Sequence, residues 1–221
     1  MLPRVIVFNA VSVDGRIDWF TPDIGRFYEL ASRWREDATL AGSGTLLSAV
    51  QEAPEEKEGA FEPQEDPGDR RPLLVVPDSR GRVKNWDYWR KQPYWRSVVV
   101  LCSRSTPASY LDYLRRRRIE HVITGDDQAD LRAALAELRA RYGVETVRVD
   151  SGGTLNGVML RAGLVDEVSV LIHPSLVGGM TPRSMFRAPD LNSPEGVLQL
   201  RLTGVEEMPG GVVWLRYNVT R

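Results

Sequence analysis

The sequence predicts an α/β fold with a mainly parallel sheet and an antiparallel closing element, and three observations carry that prediction. Short β-branched apolar runs alternate with amphipathic stretches through the first three quarters of the chain. Glycine-rich turns follow two of those runs, at Gly42–Thr45 and at Asp150–Thr154. From Glu167 onward the pattern changes to three strands with no strong helix between them.

Each element has its own warrant. Arg4–Phe8 is a continuous apolar run of the kind buried on both faces of a parallel sheet. The segment Asn9–Asp18 then reads as a turn-bearing loop at that strand's carboxyl end, with Asp14-Gly15 as its turn signal. Gly25–Arg35 places Phe27, Leu30, Ala31 and Trp34 at helical spacing. Trp19 and Phe20, just before it, either line a pocket or pack under the loop. Ala38–Ala41 is a second strand, and the helix after its glycine turn is expected from Leu46.

Residues 51–72 are acidic and proline-rich and read as an exposed insertion. The pattern resumes with strands at Leu73–Val76 and Val98–Leu101, separated by an irregular aromatic segment whose Trp86, Trp89 and Trp95 read as hydrophobic cover. A helix over Tyr110–Arg118 ends in four arginines, which suit the negative end of its dipole. Ile119–Ile123 is the fifth strand, and Leu131, Leu135, Leu138 and Tyr142 mark the next helix.

The run Thr146–Val149 is a sixth strand that enters Asp150-Ser151-Gly152-Gly153-Thr154, with helical spacing resuming at Leu155. Two readings of this turn stand. One is a plain strand-to-helix turn capped by Ser151 or Thr154. The other is a phosphate cradle, because a helix N-terminus presents free N–H groups and glycine admits close approach. The last strands are Glu167–His173, Leu198–Val205 and Val212–Val219, with Pro209-Gly210-Gly211 as a hairpin turn. The whole reads as a single domain over 1–221.

Composition narrows the function. With 221 residues, 42% of them hydrophobic and a net charge of −1, electrostatic attraction to nucleic acid or membrane has no support. The one cysteine, Cys102, follows an apolar run, reads as a buried inert thiol, and fits a reducing cytoplasm. No stretch approaches the ~20 apolar residues of a membrane-spanning helix, and the N-terminus lacks a signal-peptide pattern. The two histidines, His121 and His173, belong to no cluster with metal-ligand spacing, so no metal is expected. Gly-x-Ser-x-Gly, Gly-Lys-Ser/Thr and a complete GxGxxG are all missing. Ser79, Arg80 and Arg82, after the third strand, are either a solvated turn or a ribose-phosphate site suited to guanidinium geometry. On these grounds alone the reading stops at an α/β domain that binds a phosphorylated small molecule.

Six ordered motifs carry a resemblance further: Asn9–Asp18, Gly42–Thr45, Val75–Gly81, Asp150–Leu155, Gly163–Glu167 and Pro174–Gly179. Together they resemble the reductase domain of riboflavin biosynthesis, in its stand-alone form without the zinc deaminase half, across nearly the whole chain except the insertion. The resemblance implies a dihydrofolate-reductase-like fold: a mainly parallel central sheet, helices on both faces, and antiparallel C-terminal strands. It implies NADPH-dependent reduction of the ribosylamino group of a pyrimidine 5′-phosphate to ribitylamino, by hydride transfer from nicotinamide C4 to the sugar C1 of an opened, imine-like substrate.

Carried over, the resemblance places NADPH contacts at Val11, Gly42, Gly44, Thr45, Ser79, Arg80, Gly152, Gly153, Thr154, Leu155 and Asn156. It places substrate contacts at Asn9, Ser12, Asp14 and Asp150. No residue stands out as an obligatory proton donor, and Asp14, then Asp150, are the catalytic candidates. The family is commonly a homodimer, with the C-terminal strands as an interface. Two departures bear on the substrate: Asp150 stands at a usual glutamate, and Ala49–Pro54 replaces a frequent Asp-Asp-Pro segment. Two alternatives stay open, a related NADPH reductase of another small molecule such as a pterin, and a catalytically idle nucleotide-binding subunit. For a true dihydrofolate reductase, the Gly25–Arg35 helix offers Glu29 but no clear pterin-binding acid.

Overall fold

The computed structural model describes residues 1–50, 68–180 and 183–220. Its elements run β1 (Arg4–Ser12), α1 (Ile24–Ala31), β2 (Ala38–Leu40), α2 (Ser43–Ala49), β3 (Leu73–Pro77), α3 (Trp86–Arg90), β4 (Ser97–Cys102) and α4 (Ala108–Arg116). They continue with β5 (Glu120–Ile123), α5 (Leu131–Tyr142), β6 (Thr146–Val149), α6 (Gly153–Arg161), β7 (Glu167–His173), β8 (Leu200–Met208) and β9 (Val212–Val219). The chain forms two compact units, Met1–Pro3 with Glu36–Val147, and Arg4–Arg35 with Arg148–Arg221.

The first unit is a parallel sheet in which β2 pairs with β3, β3 with β4, and β4 with β5. Strand alternation sends Leu74, Val76, Val98, Val100 and Cys102 to one face. There they meet Leu46 of α2, Trp86 and Trp89 of α3, and Tyr110 and Leu114 of α4. The opposite set, Leu73, Val75, Val99 and Leu101, is equally buried, which is why these strands read as unbroken apolar runs. Helix α5 is well bounded: Asp130 accepts from the N–H groups of Arg132 and Ala133, and Gly143 closes the other end with φ +66°. Asp37 then accepts from the N–H groups of Glu145 and Thr146, each at 2.9 Å, and fixes the entry to β6.

In the second unit β1 and β7 are parallel, while β7–β9 and β8–β9 are antiparallel. Helix α1 closes one face, where Phe8 and Phe27 stack with ring centroids 4.3 Å apart beside Leu30, Leu171 and Trp214. Trp214 also donates its indole N–H to the Ser169 hydroxyl at 2.7 Å. The β8–β9 hairpin turns at Pro209–Gly211, with Gly210 and Gly211 both at positive φ. Parallel pairs preceding antiparallel C-terminal strands are the architecture the sequence predicts.

Some boundaries move. Asn9–Ser12 lie inside β1, because pairing with β7 runs through to Ser12 opposite His173. Trp86–Arg90 is a short helix; as expected, Trp86 and Trp89 are cover for the sheet. Helices α2 and α6 begin at Ser43 and Gly153, earlier than their apolar spacing suggests. Strand β8 starts and ends later than Leu198–Val205. The insertion read over 51–72 lies outside the described residues except for 68–72, where Asp69 pairs with Arg71.

Candidate active site

In the second unit the carboxyl end of β1 turns through Gly15, φ +76°, into a loop built on Asp14. The Ser12 hydroxyl donates to Asp14 at 2.6 Å, and the same carboxylate accepts the N–H groups of Val177 at 3.1 Å and Gly178 at 2.7 Å. These three donors, the hydroxyl foremost, hold the Asp14 pKa down at about 2. A carboxylate so held has no proton to give near neutrality. Asp14 anchors its own loop to Val177 and Gly178. Ser12 is consumed in the same knot, accepting from the N–H of Arg16 at 3.0 Å.

Asp150 follows β6 directly, and Arg148 donates to it at 2.9 Å. Strand alternation puts the two side chains on one face, and the arginine is only 5% exposed while Asp150 keeps 27%. An almost buried guanidinium thus orients an accessible carboxylate. Nothing in the apolar pattern marks Arg148 as functional, since it interrupts a run of valines.

The double glycine resolves into two different positions. Gly152 is the N-cap of α6, and a Cβ there would touch only Ile17, at 3.7 Å. Gly153 is packed shut: a Cβ would lie 2.2 Å from the Ser184 carbonyl oxygen. Gly157, one turn on, would meet the Arg187 carbonyl oxygen at 2.0 Å. The segment Ser184–Ala188 therefore crosses α6 in direct backbone contact, and Arg187 N–H donates to the Gly153 carbonyl at 2.9 Å. Only Gly152 serves an open approach, and Gly153 serves packing. As Gly152 itself takes the N-cap position, neither Ser151 nor Thr154 does. Thr154 is exposed and Leu155 half-buried in the first turn of α6, which carries no acidic residue to repel an anion.

Asn156 is fully buried, and its side-chain amide donates to Asn9 Oδ1 at 2.8 Å and to the Met185 carbonyl at 2.9 Å. Asn9 in turn donates to the Ser151 carbonyl at 3.0 Å. Both asparagines tie β1, α6 and the Met185 segment together. Val11 is likewise a buried strand residue, opposite Ile172. His173 ends β7 almost wholly buried, against the ring of Phe20 at 5.2 Å, and burial above all lowers its pKa. Trp19, by contrast, projects into solvent at 84% exposure with φ +64°, a strained conformation for an aromatic residue.

In the first unit, taken by itself, loops follow β2 and β3. Gly44 and Thr45 are exposed in the first turn of α2, and a Cβ on Gly44 would meet nothing within 4 Å. Arg82 donates to the Ser43 hydroxyl at 2.8 Å and so joins this turn to the loop Asp78–Val83. Arg80 is exposed on that loop. Ser79 is held within the loop: its hydroxyl accepts the Ala129 N–H at 2.8 Å and its carbonyl accepts from Thr106 at 2.9 Å. Among the described residues no cluster suited to a metal ion is present.

Residues 3–214 match the family model for the RibD C-terminal domain. The chain belongs to the RibD C-terminal domain family. Within it, the chain is 32% identical over 210 residues to the 2,5-diamino-6-ribosylamino-4(3H)-pyrimidinone 5′-phosphate reductase of Methanothermobacter thermautotrophicus, covering 91% of this chain and 92% of that one. A pyrimidine reductase-like protein of Corynebacterium diphtheriae shares the fold with a TM-score of 0.73 at 16% identity, over 99% of this chain and 92% of that chain. The RibD of Acinetobacter baumannii aligns with a TM-score of 0.71 at 22% identity, and 99% of this RibD_C chain spans 58% of that longer protein.

Proposed function

We propose that this chain is an NADPH-dependent reductase of riboflavin biosynthesis, converting the ribosylamino group of 2,5-diamino-6-ribosylaminopyrimidinone 5′-phosphate to ribitylamino. The observation that carries it is the near end-to-end match, 91% of this chain against 92% of a reductase of that name. The chain acts in this reading as one reductase domain over residues 1–221.

The residues present fit a phosphate-bearing nicotinamide cofactor. Gly152 offers an uncrowded N-cap on a nine-residue helix without first-turn carboxylates. Within the first unit by itself, Arg80 and Arg82 carry guanidinium groups whose geometry matches phosphate oxygens, and the exposed Gly44-Thr45 turn presents main-chain and hydroxyl groups. The bound cofactor supplies the hydride. The protein's share is orientation: Arg148 holds Asp150 toward the substrate, and Asp14 ties the end of β1 at Ser12 to the loop that follows it. Asp150 is the residue assigned to substrate choice.

Oxidation of NADPH by the purified protein with the ribosylaminopyrimidine phosphate tests this directly. Turnover, together with a raised KM for that substrate but not for NADPH in Asp150→Asn, is the expected result. Tight NADPH binding without turnover would assign another substrate, and no NADPH binding would overturn the reading.

The homodimer belongs to the same proposal. The register of β8 on β9 aligns Leu200, Leu202 and Val205 with Val219, Tyr217 and Leu215 on one sheet face, and the three β8 residues are 42%, 51% and 61% exposed. An apolar face of this kind suits a second copy. Sedimentation velocity of wild type against Leu202→Glu, with a dimer reduced to monomer, is the check. A cytoplasmic location is the accompanying reading; no described helix is long and apolar enough to cross a membrane.

A further inference from the structure

The loop Asp78–Val83 rests on buried groups that the reduction itself does not use. Asp78, at the end of β3, accepts the Val83 N–H at 2.8 Å and the Tyr110 hydroxyl at 3.1 Å on the same oxygen. The Tyr110 oxygen also lies 2.9 Å from the Val83 carbonyl and accepts the Trp86 indole N–H at 3.1 Å. Gly81 has φ +63°, and a Cβ on it would come within 2.6 Å of the Tyr110 ring, so the ring seals the loop from below. At the outer edge Arg82 is tethered to Ser43 and stands 4.0 Å from the second oxygen of Asp78. The exposed cationic side chains of this loop are Arg80 and Arg82.

We propose that Asp78 and Tyr110 are positioning residues that pre-set Arg80 and Arg82 for the 2′-phosphate of the cofactor, and thereby select NADPH over NADH. This rests on the reading that the cofactor binds at this loop. A flexible arginine loses side-chain freedom when it clasps a phosphate, and a loop already fixed at both ends reduces that loss. The brace therefore acts on the one group that distinguishes the two coenzymes. Loosening it weakens binding of the phosphorylated coenzyme selectively.

The test is calorimetric titration of NADP+ and NAD+ onto wild type, Tyr110→Phe, Asp78→Asn and Arg80→Gln, with thermal unfolding of each. Tyr110→Phe keeps the ring against Gly81 and is the milder probe. It is expected to weaken NADP+ by about tenfold, the equivalent of about 1.4 kcal/mol, and NAD+ by less than about twofold. In turnover the KM for NADPH rises while kcat holds. If Arg80→Gln loses NADP+ affinity while folded Tyr110→Phe and Asp78→Asn keep it, the brace is wrong and the cofactor reading stands. Equal weakening of both coenzymes by Tyr110→Phe also overturns the proposal. If Arg80→Gln leaves both affinities unchanged, the reading beneath it fails and the proposal falls with it.

Discussion

Asn156 on α6 donates to Asn9 on β1 across 147 positions of sequence, at 2.8 Å and in full burial. The same amide reaches the Met185 carbonyl, so one side chain joins three segments. Asn156→Ala leaves the Met185 carbonyl without this donor and deprives Asn9 of a partner. Each buried polar group left unsatisfied costs about 1–3 kcal/mol. The expected outcome is a loss in that range in urea unfolding, and a loss under about 0.5 kcal/mol would contradict the network.

The two adjacent glycines should answer differently to the same substitution. Gly153→Ala drives a methyl into the Ser184 carbonyl oxygen and should destabilise by about 1–3 kcal/mol through a forced backbone shift. Gly152→Ala meets only a distant Ile17 methyl and should stay within about 0.5 kcal/mol of wild type. Gly152→Asp should keep the fold and lose NADPH affinity, through a negative charge at the helix N-terminus. Thermal melts and coenzyme titrations of the three variants check this, and a destabilised Gly152→Ala would contradict the assignment.

These positions also show what sequence reveals and what it hides. The strands are legible because Val5–Phe8, Leu73–Val76 and Val98–Leu101 are buried on both faces and therefore unbroken in hydrophobicity. Asn9 and Ser12 read as loop because they are polar, yet hydrogen bonds let a buried strand carry them, from Asn9 to the distant Ser151 carbonyl and from Ser12 to its near neighbours Asp14 and Arg16. Gly153 and Asn156 look like a ligand turn in one dimension. Their partners, the carbonyls of Ser184 and Met185, lie about thirty residues on, in a stretch with no periodic signal. Asp150 was visible as a candidate, while Arg148, which orients it, was hidden inside a valine run.

Acid should erase what Asp14 contributes. Its pKa falls from 3.8 to about 2 on folding, so its contribution to stability is complete above pH 3.8 and is lost as pH drops through 2. Asp14→Asn should therefore melt below wild type at pH 7, and the gap should close between pH 4 and pH 2. A gap independent of pH would assign the loss to something other than the carboxylate charge.

The thiol of Cys102 should be silent in the native protein. It is wholly buried, and that burial above all pushes its pKa up to about 12. Iodoacetamide at pH 8 should leave the folded protein unmodified and label it fully in denaturant, as mass spectrometry would read. Labelling of the folded protein within minutes would mean that β4 opens far more readily than its packing allows.

Trp19 has a practical consequence. Of the six tryptophans, five are buried or half-buried and one stands in water on the loop after β1. Its emission should lie to the red of the others and quench first with acrylamide or iodide. The protein thus carries a built-in optical reporter beside Asp18, for which Trp19→Phe is the blank. Titrating coenzyme or pyrimidine phosphate while watching that red component follows this loop in solution without any added label.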